Sequence, residues 1–332
     1  MVPFAYIAVA DPNAAIARAA GGPGVEFIAG GTDMLQLLQE GVRRPMELVD
    51  INAIGFDDVS VAIDGVRIGA MARLAQVADD VTIRERFPVI AEALQETASP
   101  QVRNMATVAG NLLQRTRCLY FRDVTTPCNK REPGSGCSAL EGQNRINAIL
   151  GGSPSCIAAY PGDLAVALIA ADAEIMVVGP TGERTILAED LHRLPGDAPH
   201  LETVLEPGEL VTAIWLPISA AGRRSHYLKV RDRATFEWSL VSAAVSLGLD
   251  GDRVLEARIA AGGVGTKPWR LRHVEDMLAG RRLDRDLARA AGERAADGAE
   301  PREHNAFKVP LLRKTVERAL LRVAGLSSGG AA

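Results

Sequence analysis

Cys118, Cys128, Cys137 and Cys156 are the only cysteines in the chain, and they fall within 39 consecutive residues rich in glycine and polar side chains. Structural cysteines behave as small hydrophobes and scatter through a core. These four lie where little apolar sequence is available to pack. A shared ligand is the simpler account, and four thiolates around one soft metal centre is its simplest form. Two disulfides are the plain alternative. They need an oxidising compartment and are typical of small, cysteine-dense secreted domains, whereas this chain has four cysteines in 332 residues. Zinc is the closer rival, but zinc sites usually carry a C-x2–4-C knuckle. The gaps here are nine, eight and eighteen residues, which is neither a knuckle nor a common ferredoxin pattern. Spacing implies a metal without naming it.

The charge around the cysteines points the same way. Arg115, Arg117, Arg122, Lys130, Arg131 and Arg145 stand against Asp123, Glu132 and Glu141, a local excess of three positive charges in a chain of net charge −4. An anionic iron–sulfur cluster is stabilised by such cations, most in its reduced form. Basic surroundings also lower thiol pKa values and favour any thiolate metal site, and a solvated basic loop is the bland reading.

A second set of residues could hold an anion. Phe27-Ile28-Ala29-Gly30-Gly31-Thr32-Asp33 leaves a strand-like run and enters a helical one. Two glycines let the backbone turn tightly and approach a ligand. The new helix offers free N–H groups and a positive dipole end, and Thr32 adds a hydroxyl. The product is a pyrophosphate cradle; the ordinary alternative is a strand–turn–helix junction with a Thr or Asp cap. It is not G-x-G-x-x-G, so a Rossmann dinucleotide site is not indicated. Arg103 to Leu112 reads as a second, non-helical turn rich in hydrogen-bonding groups.

The elements that must position these loops divide the chain by texture. Helical patterns cover Asn13 to Ala20 and Thr32 to Glu40, with strands at Val25 to Ala29 and Glu47 to Asp50. Strands follow at Val66 to Ile68, Glu174 to Val178 and Leu210 to Leu216, around helices at Phe87 to Thr97 and Pro161 to Ala170. The cysteine loop interrupts this stretch. After Gly222 come Ser242 to Leu249, a Gly251 turn and Val254 to Ala261, a hairpin signature. Helices are expected at Val274 to Ala279, Leu287 to Ala296 and Lys308 to Ala324. No internal repeat or sustained heptad is present. The C-terminus, Ser327 to Ala332, is small-residue sequence expected to fray.

Composition excludes several classes. Hydrophobic residues at 47% suffice for a core, and the length allows two or three domains. A net charge of −4 and a pI near 5.8 argue against non-specific nucleic-acid binding. No apolar run approaches the roughly 20 residues of a membrane span, and Met1 to Ala10 lacks the pattern of a secretory signal. The histidines at 192, 200, 226, 273 and 304 are scattered, so each is read as structural or surface. No molybdopterin site, no second cysteine set and no general acid–base constellation is visible, so no catalytic residue is assigned.

The two loops together resemble the flavin-binding pattern of the FAD-binding medium subunit in the xanthine dehydrogenase and aldehyde oxidoreductase family of molybdenum hydroxylases. The likeness extends over nearly the whole chain. Arg115-Thr116-Arg117-Cys118, Pro127-Cys128-Asn129-Lys130-Arg131 and Gly134-Ser135-Gly136-Cys137 are similar to a bacterial aldehyde oxidoreductase branch whose flavin subunit carries an extra 4Fe–4S cluster. The flavin subunit of 4-hydroxybenzoyl-CoA reductase has such an insertion too. Ala261 to Arg270 resembles the family's C-terminal domain.

The resemblance implies an α+β fold: a two-lobed FAD-binding domain of the vanillyl-alcohol-oxidase/PCMH type plus a C-terminal α+β domain of the CO dehydrogenase flavoprotein type. The expected divisions are 1–60, 61–222 with the cluster loop at 115–157, and 223–326. Cys118, Cys128, Cys137 and Cys156 would hold the 4Fe–4S cluster. Phe27, Ile28, Ala29, Gly30, Gly31, Thr32 and Asp33 would hold the FAD pyrophosphate, and Thr107, Ala109, Gly110 and Asn111 would contact the cofactor from the neighbouring lobe. Ala109 stands where the family has the first glycine of Gly-Gly-Asn, and its methyl group could crowd a phosphate. Asp163, Leu210 and Lys229 carry over as further FAD contacts. Asp163 could instead be a helix N-cap, and Lys229 a surface strand lysine.

By the same resemblance, the chain would pass electrons within a heterotrimeric molybdenum-dependent aldehyde or xanthine oxidoreductase. Its partners would be a small 2Fe–2S ferredoxin-like subunit, a large molybdopterin-binding catalytic subunit and an external electron acceptor. A stand-alone flavin reductase or oxidase of the same fold, a 4-hydroxybenzoyl-CoA reductase-type subunit and a zinc-stapled scaffold are the rivals. The expected compartment is cytoplasmic, or periplasmic if a partner carries a twin-arginine signal.

Overall fold

The computed structural model describes residues 2–326; the C-terminal segment expected to fray lies outside them. Three sheets organise the chain. The first is parallel, order β1-β3-β2, built from β1 (Ala5–Ala8), β2 (Val25–Ile28) and β3 (Glu47–Asp50), with α1 (Pro12–Ala20) and α2 (Met34–Gln39) as connections. Asp11 accepts from the amides of Asn13 and Ala14, and Pro12 pre-sets the first helical φ, so α1 starts where its sequence signals it.

The second sheet is antiparallel, order β4-β5-β8-β6-β7. Its strands are β4 (Val59–Val61), β5 (Gly65–Gly69), β6 (Glu174–Gly179), β7 (Gly182–Leu187) and β8 (Leu210–Pro217). Between β5 and β6 run the helices α3 (Leu74–Asp79), α4 (Val81–Arg86), α5 (Pro88–Gln95), α6 (Pro100–Met105), α7 (Val108–Leu112), α8 (Leu119–Arg122) and α9 (Leu164–Ala170). Helix α9 is buried along its whole length, which explains its uninterrupted apolar sequence. It packs against α5 and shares one core cluster with Val66, Ile68, Ile175 and Ile214 of this sheet.

The expectation of a non-helical turn at Arg103 to Leu112 is corrected by α6 and α7. Ser99 caps α6 through the amide of Val102 and Pro100 opens it, while Thr107 caps α7 through the amide of Gly110. Turns of five or six residues are too short to display a 3.6-residue period, so caps are the only local signal.

The third sheet, order β12-β11-β10-β9, is antiparallel: β9 (Ser225–Val230), β10 (Val241–Asp250), β11 (Arg253–Gly262) and β12 (Trp269–Arg270). The β10–β11 hairpin turns at Gly251, whose φ of +59° suits glycine. Helix α10 (Ala220–Arg223) precedes β9. Helices α11 (Arg272–Leu278), α12 (Arg285–Arg294) and α13 (Lys308–Val323) cover one face, burying Val274, Leu287, Leu312 and Val316 against Val245 and Ile259. No helix among the described residues is long and apolar enough to cross a membrane.

Residues 113 to 163 carry no strand and only the short α8. Hydrogen bonds to the third sheet's surroundings hold them instead. The amide of Ile149 donates to Val264 O (2.8 Å) and that of Tyr160 to Gly265 O (3.0 Å). Lys308, fully buried at the start of α13, donates to Asn147 O (3.0 Å) and Gly263 O (2.7 Å). Burial lowers its pKa to about 7.

Candidate functional site

The cradle loop sits between β2 and α2. Gly31 has a φ of +70°, which places it in the left-handed region. Gly30 is required for a different reason: a Cβ there would stand 2.0 Å from Met105 O, so the two predicted loops meet backbone to backbone. Asn52 and Arg73 clamp that junction. Asn52 Nδ2 donates to Ala29 O (2.9 Å), Arg73 Nη2 to Asn52 Oδ1 (3.1 Å) and Arg73 Nη1 to Met105 O (2.5 Å). Neither residue was singled out in the sequence, where nothing marks a polar side chain as a clamp.

Among the described residues, the amides of Gly30, Gly31, Thr32 and Asp33 donate to no other protein group. They border a cavity of about 180 Å³ lined by Phe27 to Asp33, Thr107, Ala109, Gly110 and Leu210. Unpartnered amides beside an open cavity match the chemistry of a diphosphate. Ala109 lies inside α7, its amide donating to Ala70 O (2.9 Å).

The remaining predicted contacts stand elsewhere. Asn111 is buried in α7, with no partner for its Oδ1, and does not line this cavity. Asp163 and Lys229 form an ion pair at 2.8 Å, each side chain only 1% exposed. Asp163 also accepts from Tyr227 Oη (2.6 Å) and Thr97 Oγ1 (3.2 Å), and Lys229 donates to Glu96 O (3.0 Å). Although Asp163 precedes α9, its side chain makes no capping bond, and Lys229 is not a surface lysine. Burial and the neighbouring carboxylate push the Tyr227 hydroxyl well above its usual range. Gly162 is boxed in, since a Cβ there would meet Tyr160 Oη at 2.6 Å and Gln114 Nε2 at 2.9 Å.

A second cavity, of about 290 Å³, adjoins the first; the two share Arg43, Leu113, Gln114 and Arg115 in their walls. Together they fall in the range of about 300–1,000 Å³ typical of cofactor sites. Cys156, Tyr160 and His192 also line the second cavity. Leu112 O accepts from His192 Nε2 (3.0 Å), which fixes the proton on that nitrogen in the neutral ring. Burial lowers the His192 pKa to about 4.

The structure brings all four cysteines together. Cys118, Cys128 and Cys156 are buried in one cluster with Leu37, Phe121 and Ile157, and the partly buried Cys137 packs against it. None is in a disulfide. Among the described residues, no three His, Cys, Asp or Glu side chains are set around a single ion. Cys128 and Cys137 face each other across an antiparallel bridge, and Asn129 Oδ1 ties their loop by accepting from the amides of Gly134 (3.1 Å) and Gly136 (2.8 Å). N–H groups point at sulfur, among them Asn147 Nδ2 at Cys118 Sγ (3.5 Å) and the amide of Ala158 at Cys156 Sγ (3.4 Å).

Burial pushes the Cys156 thiol up to about 11 and raises that of Cys118. At both positions burial disfavours the charged thiolate. Lys130 is lowered to about 8 by the same desolvation, and Arg115 to about 9. Both face Glu202. The thiols are therefore grouped in one cluster, beside N–H donors aimed at sulfur and adjacent cations, without being set around a single ion among the described residues.

Residues 2–219 match the family model described as the FAD binding domain in molybdopterin dehydrogenase, and residues 225–323 match that of the CO dehydrogenase flavoprotein C-terminal domain. The chain is 42% identical over 322 residues to the aldehyde oxidoreductase FAD-binding subunit PaoB of Escherichia coli (strain K12), covering 96% of this chain and 98% of that protein. It is 25% identical over 299 residues to the glyceraldehyde dehydrogenase medium chain of Sulfolobus acidocaldarius, covering 90% and 89%. Among solved structures, a chain of the carbon monoxide dehydrogenase of Hydrogenophaga pseudoflava superposes with a TM-score of 0.77 at 25% identity, covering 99% of this chain and 100% of that one.

Proposed function

The chain belongs to the FAD-binding subunits of the molybdopterin dehydrogenases, and from that membership we propose that it is the electron-transfer subunit of a molybdenum-dependent aldehyde oxidoreductase, carrying FAD and a 4Fe–4S cluster. One observation carries the proposal: Cys156 lines a cavity that shares four wall residues with the one bordered by the unpartnered amides of Gly30 to Asp33. An iron–sulfur group and a flavin held there would be neighbours.

In this reading the amides of Gly30, Gly31, Thr32 and Asp33 bind the FAD diphosphate, with Phe27, Ile28 and Ala29 shaping the approach. Thr107, Ala109 and Gly110 close the opposite wall, and Leu210 lies at the adenine end. The Asp163–Lys229 pair keeps its own charges satisfied, and Asn111 stands in α7 beside the lining residues Ala109 and Gly110. Cys118, Cys128, Cys137 and Cys156 hold the cluster. The N–H groups of Asn147 and Ala158 withdraw charge from sulfur, and Lys130 and Arg115 favour the reduced form. Flavin exchanges electrons singly or in pairs while the cluster passes one at a time, which suits a junction between one-electron carriers and an external acceptor. A small 2Fe–2S subunit and a large molybdopterin-binding subunit would complete the heterotrimer. Within this chain we take 1–60, 61–222 and 223–326 as the three units. The identity shared with a protein named an aldehyde oxidoreductase subunit favours aldehydes as the substrate class.

The test is cofactor analysis of the full chain purified without oxygen. About four irons, matching acid-labile sulfide and one FAD per chain are expected. Zinc without iron or flavin would establish the stapled scaffold instead, and turnover of NAD(P)H by the isolated chain would establish a stand-alone flavoenzyme.

A further inference from the structure

Asp33 ends the cradle loop and begins α2, yet its carboxylate faces the cysteine segment. Oδ1 accepts from Arg117 Nη1 (2.8 Å) and Arg122 Nη2 (2.9 Å), and Oδ2 accepts from the amide of Arg115 (2.8 Å). It makes no capping bond to its own helix. These three partners flank Cys118 on both sides. The rest of α2 follows the same orientation. Gln36 Oε1 accepts from Arg117 (3.1 Å), Glu40 Oε2 accepts from Arg122 (3.0 Å), and Leu37 packs in the cluster containing Cys118, Cys128 and Cys156. Residues 33, 36, 37 and 40 share one helical face. The helix whose first turn borders the cavity is therefore bound along one side to the cysteine loop.

A carboxylate beside a diphosphate would repel it. Turned toward three cationic or N–H partners and 14% exposed, Asp33 is neutralised instead. We propose that Asp33 is a positioning residue that brackets the cysteine loop to the flavin cradle, so that order in either segment holds the other in shape. The proposal rests on the reading of FAD and a cluster given above. By linkage, filling one site then strengthens the other by the same factor.

The test is a mutant cycle on the full chain, reading the FAD dissociation constant. Asp33→Ala, Arg122→Gln and the cluster-free Cys118→Ser should each weaken FAD binding by about 5- to 150-fold. Asp33→Ala should add little in the Arg122→Gln or Cys118→Ser background. The visible circular dichroism of the bound flavin should change in Asp33→Ala, a readout that a loss of stability alone would not move. Should Asp33→Ala fail to fold, Asp33→Asn and Arg122→Lys are read in the same way. Unchanged affinity, strictly additive losses, or tighter binding in Asp33→Asn would overturn the bracket alone. A parent chain that takes up no FAD would overturn both the bracket and the functional reading beneath it.

Discussion

The carbonyl oxygen of Met105 occupies the space that a side chain on Gly30 would need. The contact, 2.0 Å from an ideal Cβ, makes Gly30 a joint between the two loops that line the first cavity, rather than simply a flexible residue near a ligand. Asn52 and Arg73 tie the two loops together by linking Ala29 O to Met105 O.

Gly30→Ala must displace backbone, not a flexible side chain. A loss of more than about 2 kcal/mol is expected, with reduced flavin content, measured by chemical denaturation and by released FAD. Gly134→Ala is the control. At a φ of +88° with nothing within 4 Å, it carries backbone strain alone. Equal effects of the two changes would refute the joint.

Lys229→Met leaves the Asp163 carboxylate buried without its cation. Breaking a buried pair from one side costs about 3–5 kcal/mol, and the double variant Asp163→Asn with Lys229→Met should lose less than the two single losses combined. Urea midpoints for the four proteins decide it; strictly additive losses would show that the pair is not coupled.

His192 sets a stability slope with pH. Its folded pKa is lowered from 6.5 to about 4 by burial. Between those values the unfolded chain binds the proton and the folded chain does not, so stability falls as pH falls. It is fully present above about 6.5, and about 3 kcal/mol is lost by pH 4. His192→Gln should flatten this part of the profile, as followed by denaturation at stepped pH; an unchanged slope would assign it to other groups.

Cys137→Ser removes the least buried of the four thiols. Iron content should drop, and residues 123–145, which have little core of their own, should become sensitive to protease. Full iron content together with parental protease resistance would show that Cys137 is not a ligand.

Much of the architecture was legible along the chain. The β10–β11 hairpin, α13 and the buried α9 announce themselves by period, turn residues and apolar runs, because their patterns span enough residues to repeat. The four cysteines and the Gly30-Gly31-Thr32 turn are equally visible as chemistry. Helices α6 and α7 were not, being too short for a period. Strand β1, mostly exposed, carries no alternation to read.

Residue types and local spacing determined by themselves that four thiols share one polar loop and that a glycine pair opens a helix. Only tertiary structure decided where the charged side chains point. Asp33 meets Arg122 across 89 residues, Asp163 meets Lys229 across 66, and Lys308 reaches Asn147 across 161. Such pairs leave no local trace, because a carboxylate or ammonium takes its partner from whichever segment the packed core delivers, and burial then makes that partner obligatory.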